Sequence, residues 1–147
     1  MSDRDEIENL MARYCRTYDD GDFEAYAELF KHGIIGGPTG TFTSVAEVAA
    51  YHRRNCKLYD GKPSTRHVIT NIEINIAPDA ASAAASSYVT IYQATEDFPL
   101  QVIFVGSYID EFHKVDGKWW FRSRRADAHL VGNLSRHAYE FLPPTAR

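Results

Sequence analysis

A single acidic residue, Asp19, carries the clearest chemical signal in this sequence. It follows apolar side chains that recur at helical spacing, and it lies in the last turn of the helix that they predict. Backbone carbonyls make this end of a helix negative, so a carboxylate is disfavoured there unless a partner compensates for it. We therefore expect a group from a distant part of the chain to meet Asp19. The apolar stripe consists of Ile7, Leu10, Met11, Tyr14, Cys15 and Tyr18.

Other groupings of reactive side chains do not form a recognisable motif. The six histidines show no HExxH or HxH spacing, and Asp127-x-His129 alone is a weak metal signal. Neither a glycine-rich nucleotide loop nor a G-x-S-x-G serine elbow occurs. We therefore expect no metal and no cofactor.

Helices are predicted in the first part of the chain, where they position Asp19. Capping residues and a glycine stop indicate one helix from Ser2 to Gly21, a second over residues 23–30, and a third from Ser44 to about Leu58. The glycine-rich stretch between the second and third helices predicts a short strand and a loop.

Strands are predicted in the second part, where the hydrophobic period changes to two. His67 begins the polar face of the first strand, and that face alternates with a β-branched face. The Asp116–Gly117 turn pairs the last two strands antiparallel. The plan is α+β: a strongly curved, cone-shaped antiparallel sheet packed on three N-terminal helices. The predicted strands cover residues 65–76, 80–93, 100–115 and 119–131.

Composition narrows the class of protein. At 147 residues the chain suits one domain, 1–147, and 9 tyrosines favour an apolar pocket with a few hydrogen bonds. A net charge of −4 argues against a nucleic-acid partner. Without a signal pattern or a long apolar run, we expect a cytoplasmic protein with no membrane segment. Cys15 and Cys56 are predicted to be separate buried thiols.

In their order and spacing, these features resemble the SnoaL-like branch of the NTF2-like superfamily. The likeness covers nearly the whole chain and implies that family's cone-shaped α+β barrel. This fold hosts dehydratases, dehydrochlorinases, isomerases, polyketide cyclases, dioxygenase β subunits and non-enzymatic transport factors, so it leaves the function open. The matching features are Tyr18-Asp19-x-x-Asp22, Phe23-x-x-Tyr26-x-x-Leu29-Phe30, the capped third helix, His67 near a strand start, and Asp116-Gly117-x-Trp119-x-Phe121.

Three enzyme families of this group share an aspartate and a histidine that match Asp19 and His67. Scytalone dehydratase has a Tyr-Asp pair that matches Tyr18 and Asp19, but its second catalytic histidine would fall near Tyr92. Hexachlorocyclohexane dehydrochlorinase carries an arginine that matches Arg124.

The position one helical turn before Asp19 separates these families. Tyr14 replaces the lysine of the dehydrochlorinase and matches a tyrosine of bile-acid 7α-dehydratase. The further aspartate of that dehydratase would fall near Thr90 and is absent. The resemblance therefore agrees on the His/Asp pair and disagrees on the residues that select the substrate.

The resemblance implies a lyase of the dehydratase kind that acts on a small apolar cyclic or aromatic substrate. Asp19 would orient His67, which would abstract a carbon-bound proton and then protonate the leaving hydroxyl. Tyr14 would polarise a carbonyl or assist the leaving group. Tyr18 and Arg124 are expected to contact the substrate, and so are Tyr88 and Tyr92, which lie along one face of a strand.

Two other functions fit the same pattern. The chain is alternatively a non-catalytic ligand-binding or dioxygenase β-subunit-like module, or an isomerase or polyketide cyclase. We expect a homodimer or homotrimer. The tail beyond residue 133 carries too many apolar side chains to stay exposed, so we expect it to cover the cone mouth or reach a neighbouring subunit. These side chains are Leu134, Ala138, Tyr139, Phe141 and Leu142.

Overall fold

The computed structural model describes residues 1–37 and 40–141, which form three helices and six strands. Pro38, Thr39 and the tail residue Leu142 lie outside the described residues. The helices are α1 (Asp3–Asp19), α2 (Phe23–Glu28) and α3 (Val45–Asn55). The strands are β1 (Ile34–Gly37), β2 (Gly40–Phe42), β3 (Thr65–Ile76), β4 (Ser82–Thr95), β5 (Phe98–Val115) and β6 (Lys118–Val131).

Helix α1 begins and ends where the capping residues predict. The Ser2 and Asp5 side chains form both bonds of the capping box. Gly21 follows the helix with a φ of +74°, and a side chain there would collide with the Gly61 carbonyl. Helix α3 ends three residues earlier than predicted, because Cys56 has extended backbone and pairs with the tail at Ala138. None of the described helices is long and apolar enough to cross a membrane.

The six strands form one sheet in the order β2-β1-β6-β5-β4-β3. Strands β3 to β6 pair antiparallel in sequence order, as the hairpin signals predict. Strand β1 runs parallel to β6, so the sheet is mixed rather than wholly antiparallel. The predicted α+β architecture is otherwise confirmed, and β3 lies at a free edge of the sheet beside α1.

A bulge in β3 overturns the predicted division of its two faces. The register against β4 shifts between Thr70 and Glu73, and Asn71 has a φ of +52°. The bulge places Ile72 on the core side of the strand together with Ile69, although strict alternation put them on opposite faces. Val68, predicted on the apolar face, is 40% exposed. The face that includes His67 is therefore apolar, not polar.

The tail forms a C-terminal strap, residues 133–141, across the connection between α3 and β3. The Lys57 amide donates to the His137 carbonyl, and the Tyr139 amide donates to the Asn55 carbonyl, both at 2.9 Å. The Tyr59 hydroxyl donates to the Arg136 carbonyl at 2.6 Å. Of the predicted apolar tail, Leu134 is buried, whereas Tyr139 and Phe141 are exposed.

Candidate active site

Asp19 meets the partners that its position requires. The His67 ring nitrogen Nδ1 lies 2.7 Å from Asp19 Oδ1, and the Thr65 hydroxyl donates to the same oxygen at 2.7 Å. The backbone amide of His67 donates to Asp19 Oδ2 at 2.8 Å. The carboxylate therefore binds three donors from the first three residues of β3.

The edge position of β3 makes these donors available. An edge strand leaves every second amide without a partner in the sheet, and here the His67 amide points to α1 instead of to β4. Thr65 and His67 lie two residues apart, so their side chains share the strand face that α1 covers. One carboxylate thereby joins the last turn of α1 to the first residues of β3.

His67 is oriented as a base by this contact. Because the Asp19 carboxylate accepts hydrogen bonds only, Nδ1 carries a proton, and in the neutral ring Nε2 keeps its lone pair. No other described residue bonds to Nε2, and this atom is not fully sealed from solvent. The side chains of His67 and Asp19 are 6% and 7% exposed, so the pair sits in a largely dry environment.

The same contacts keep Asp19 ionised. Burial alone would raise the pKa of the Asp19 carboxyl, but hydrogen bonds and charge from His67, with the Thr65 hydroxyl, outweigh it. The net effect holds this pKa below its usual value of 3.8. At neutral pH Asp19 is therefore a carboxylate.

An open groove of about 700 Å³ lies between α1 and β3, and both members of the pair line it. Its apolar lining includes Met11 and Cys15 from the helix and Ile69 and Ile72 from the strand. Burial raises the pKa of the Cys15 thiol to about 12, so this side chain is an inert apolar surface. Glu8, Arg16, Asp20 and Arg66 also line the groove, so it suits a small ligand that has both an apolar and a polar part.

Tyr14 and Arg124 are not brought to this groove. The Arg124 guanidinium is fully buried and binds both oxygens of Asp110 at 2.7 and 2.8 Å. It stacks 4.2 Å from the Tyr14 ring and 3.8 Å from the Tyr108 ring. Burial raises the pKa of the Tyr14 hydroxyl. The predicted catalytic tyrosine and substrate-binding arginine therefore lie together in an aromatic core.

Tyr88 and Tyr92 also lie away from the groove. Strand β4 buries the alternate residues Ser87, Val89 and Ile91 against the core, so the two tyrosines point to the opposite face of the sheet. They are 54% and 38% exposed. Their predicted contact with a substrate does not fit this placement. The alternation of side chains along β4 predicts that the two tyrosines share one face of the sheet, but it does not show which face packs on the core.

Tyr18 contacts the pair from the core side. Its ring lies 4.9 Å from the His67 ring and 5.3 Å from that of His52, between ring centroids. His137 of the C-terminal strap contacts the same tyrosine at 6.0 Å. The sequence analysis did not single out His52, His137 or Thr65 as site residues. Only Thr65 had a signal, namely its two-residue spacing from His67 on one strand face.

No metal centre is indicated within residues 1–37 and 40–141. No three His, Cys, Asp or Glu side chains among them are placed to hold an ion. Cys15 and Cys56 are both buried free thiols, as predicted.

The fold agrees with the comparisons to known proteins. The SnoaL-like domain profile matches residues 1–125, so the chain belongs to the SnoaL-like family. No protein of curated function matches the chain.

Several solved structures share the fold at low sequence identity. A protein of unknown function with a cystatin-like fold from Nostoc punctiforme is 23% identical, with a TM-score of 0.74 over 89% of this chain and 94% of its own. A candidate scytalone dehydratase from Novosphingobium aromaticivorans is 22% identical, with a TM-score of 0.72 over 98% and 93%. The β subunit of a candidate aromatic-ring-hydroxylating dioxygenase from the same organism is 18% identical, with a TM-score of 0.69 over 86% and 89%.

The buried histidines predict how stability depends on pH. Burial lowers the pKa of His52 to about 4 and that of His137 to about 3, with the charge of His67 adding to both. Below pH 6.5 the unfolded chain takes up these protons first, so the free energy of unfolding falls by up to ~1.4 kcal/mol per pH unit for each histidine until about pH 4. Protonation of Asp19 lowers the free energy of unfolding further, but only below pH 3.8.

Urea unfolding between about pH 7.5 and 4.5 measures this slope. His137→Phe should remove about half of the part due to histidines, whereas His129→Phe, at an exposed position, should leave the slope unchanged. An equal slope in all three proteins would show that the fold does not keep the His137 imidazole neutral.

Proposed function

We propose that this protein is a cofactor-independent lyase of the dehydratase kind, and that Asp19 and His67 are its catalytic residues. The observation that carries the proposal is the 2.7 Å contact between Asp19 Oδ1 and His67 Nδ1 at the wall of an open groove. A carboxylate on one ring nitrogen fixes the tautomer and stabilises the charge that the ring acquires when the other nitrogen takes a proton.

The reaction uses one base twice. His67 Nε2 removes a proton from the carbon next to an activating carbonyl, and the electron pair of that C–H bond forms the new double bond. The bond between the neighbouring carbon and its hydroxyl breaks, and the protonated His67 returns the proton to the departing oxygen. An alcohol thus becomes an unsaturated product and water, and the enzyme is regenerated.

The lining of the groove supports an apolar substrate. Its apolar part includes Met11, Cys15, Ile69 and Ile72, which can bind a ring, and charged side chains of both signs line the rest. The fold neighbour described as a candidate scytalone dehydratase agrees with this class of reaction. We therefore propose a small cyclic or aromatic β-hydroxy ketone as the type of substrate.

Exchange of the paired carboxylate tests the mechanism. In a screen of cyclic β-hydroxy ketones, followed by absorbance of the conjugated product, Asp19→Asn should lower kcat by ~10²–10⁴-fold, because the imidazole loses its orientation and charge partner. Asp60→Asn makes the same chemical change at an exposed turn residue that does not line the groove, and it should retain full activity.

Full activity in Asp19→Asn or in His67→Gln would contradict the proposed mechanism. The wild-type rate should persist after dialysis against EDTA. Incorporation of solvent deuterium next to the carbonyl, without loss of water, would indicate an isomerase or cyclase that uses the same base.

A second candidate function is a non-catalytic module, and one observation favours it. Buried side chains of the protein pack inside the sheet, including Tyr14, Tyr108 and Phe121, whose rings contact the Arg124 guanidinium. The fold neighbour from a candidate dioxygenase is likewise a β subunit. Co-purification of this protein with a larger iron-containing chain, and no turnover in the screen, would support this function.

We also propose that the protein forms a homodimer or homotrimer through the outer face of its sheet. Tyr92 and Val102 lie opposite each other on that face, and Tyr88 and Leu130 are exposed there as well. In sedimentation velocity, Val102→Asp should shift the protein to monomer. Leu58→Asp, at a loop position that is equally 42% exposed, should not. A monomeric wild type would overturn the proposal.

A further inference from the structure

The proposed elimination needs a partner for the carbonyl oxygen of the substrate. When His67 removes a proton from the carbon next to a carbonyl, negative charge develops on that oxygen, and a cation or a hydrogen-bond donor beside it lowers the barrier. Tyr14 and Arg124, which were predicted to make polar contacts with the substrate, lie in the aromatic core instead. The donor therefore has to come from the residues that line the groove.

Two arginines line the groove together with the Asp19–His67 pair. Arg16 lies on α1 three residues before Asp19, so the two side chains share one face of the helix. Arg66 directly precedes His67, and its side chain therefore starts on the opposite face of β3. Because β3 is at a free edge of the sheet, Arg66 nevertheless borders the groove. All four residues thus line the same open space, one wall coming from α1 and the other from β3.

Both arginines are exposed, and neither forms an ion pair with a described residue. Arg66 Nη1 donates to the Thr65 carbonyl at 3.0 Å, which holds the guanidinium against the strand and leaves further N–H groups for a ligand. Glu8, which also lines the groove, is paired with Arg4 at 3.0 Å. Arg16 and Arg66 are therefore cationic donors of the groove wall that have no anionic partner in the described part of the chain.

The charges around the catalytic pair are matched to an anion that forms during the reaction. Arg16 and Arg66 offset the carboxylates of Asp19 and Asp20, which line the same groove. When His67 takes up a proton, the protein gains a positive charge, and an enolate supplies a negative charge in the same step. A neutral ketone therefore enters a site whose charges cancel, and the arginines attract its oxygen most strongly after the proton has moved. Interactions that strengthen in this way raise kcat rather than the affinity for the substrate.

We propose that Arg16 and Arg66 are further catalytic residues, which bind the carbonyl oxygen of the substrate and stabilise the enolate that forms when His67 removes the proton. The identity of the anion as an enolate rests on the proposed function. The anion-binding site itself rests on the two unpaired guanidinium groups that line the groove.

The enolate divides the elimination into two steps. In the first step the C–H bond breaks, its proton moves to His67 Nε2, its electron pair forms a carbon–carbon double bond, and the carbonyl π pair moves to the oxygen beside the arginines. In the second step the oxygen re-forms the carbonyl, and the double bond shifts to the neighbouring carbon, whose bond to the hydroxyl breaks. The departing oxygen takes the proton from His67 and leaves as water.

A phenol probe tests the anion site without turnover. 4-Nitrophenol resembles a ring-bound enol, and its ionised form absorbs at longer wavelength than its neutral form. Titration of the probe with the full-length protein, at pH values on both sides of the probe's own pKa, gives the affinity of each form. We expect the phenolate to bind about tenfold more tightly than the phenol, because hydrogen bonds from a charged donor to a charged acceptor are the stronger ones.

Matched variants assign this preference to the two arginines. Arg66→Met and Arg16→Met keep an unbranched side chain but lose the charge, so each should reduce the preference to less than about threefold. Arg13→Met makes the same exchange at an exposed position of α1 that does not line the groove, and it should keep the tenfold preference. Arg66→Lys keeps the charge and should retain most of the preference. All four variants should melt close to the wild type, since substitutions at exposed positions change stability little.

Kinetics separate stabilisation of the enolate from binding of the ketone. With a substrate from the screen of cyclic β-hydroxy ketones, Arg66→Met should lower kcat by about 10²-fold and change KM by less than about threefold, because the oxygen is charged only after proton abstraction. A raised KM with an unchanged kcat would show that Arg66 binds only the neutral ketone, and it would overturn the role in the enolate step.

Equal affinity of the wild type for phenol and phenolate would overturn the anion site, and so would failure of both forms to bind. A loss of preference in Arg13→Met equal to that in Arg66→Met would also overturn it, because the effect would then come from the overall charge of the protein. The phenolate preference is measured without turnover, whereas Asp19→Asn is assayed by turnover. Failure of the anion site and failure of the proposed lyase are therefore distinguishable.

Discussion

The structure depends on one carboxylate that joins the end of a helix to the edge of a sheet. Asp19 accepts bonds from the Thr65 hydroxyl and from the ring and backbone of His67. Its place in the last helical turn costs about 0.3–1 kcal/mol, whereas each hydrogen bond to a charged group contributes about 1.5–3 kcal/mol. The bonds outweigh the cost, so a position that is unfavourable for an isolated helix becomes the fixed point between α1 and β3.

Two buried pairs, each of an acidic and a basic side chain, show that position in the fold decides whether a pair can act on a ligand. Arg124 and Asp110 bind each other at two points, are fully buried, and are surrounded by aromatic rings, so they have no surface to offer a ligand. Asp19 and His67 are almost as buried, but they lie at the free edge of the sheet, where the groove begins. Only the second pair combines a dry environment with access for another molecule.

Much of this arrangement could be predicted from the sequence, because it depends on local patterns. Helical spacing identifies α1, and the position of Asp19 in its last turn shows that the carboxylate needs a partner. The Asp116–Gly117 turn predicts the final hairpin. The order of these motifs indicates the SnoaL-like family, and the match of the SnoaL-like domain profile to residues 1–125 shows that the chain belongs to it.

The remainder could not be predicted, because it depends on register and on the tail. A bulge in β3 moves Ile72 to the same side as Ile69, and another in β6 places Asp110 opposite Arg124, where an unbroken hairpin would place Ser123. Periodicity does not show bulges, and the family resemblance that implied a substrate contact for Arg124 does not show its register either. His137 lies 70 positions after His67 in the chain, and no spacing rule connects them.

The state of the His67 ring tests the central claim most directly. In a long-range ¹H–¹⁵N NMR spectrum at neutral pH, the Asp19 contact predicts a protonated Nδ1, an unprotonated Nε2, and a hydrogen-bonded Nδ1 proton that exchanges slowly with water. Asp19→Asn should abolish this pattern, whereas Asp20→Asn should preserve it. A proton on Nε2 in the wild type, or the same ring spectrum in Asp19→Asn, would contradict the account, because the carboxylate would then not orient the base.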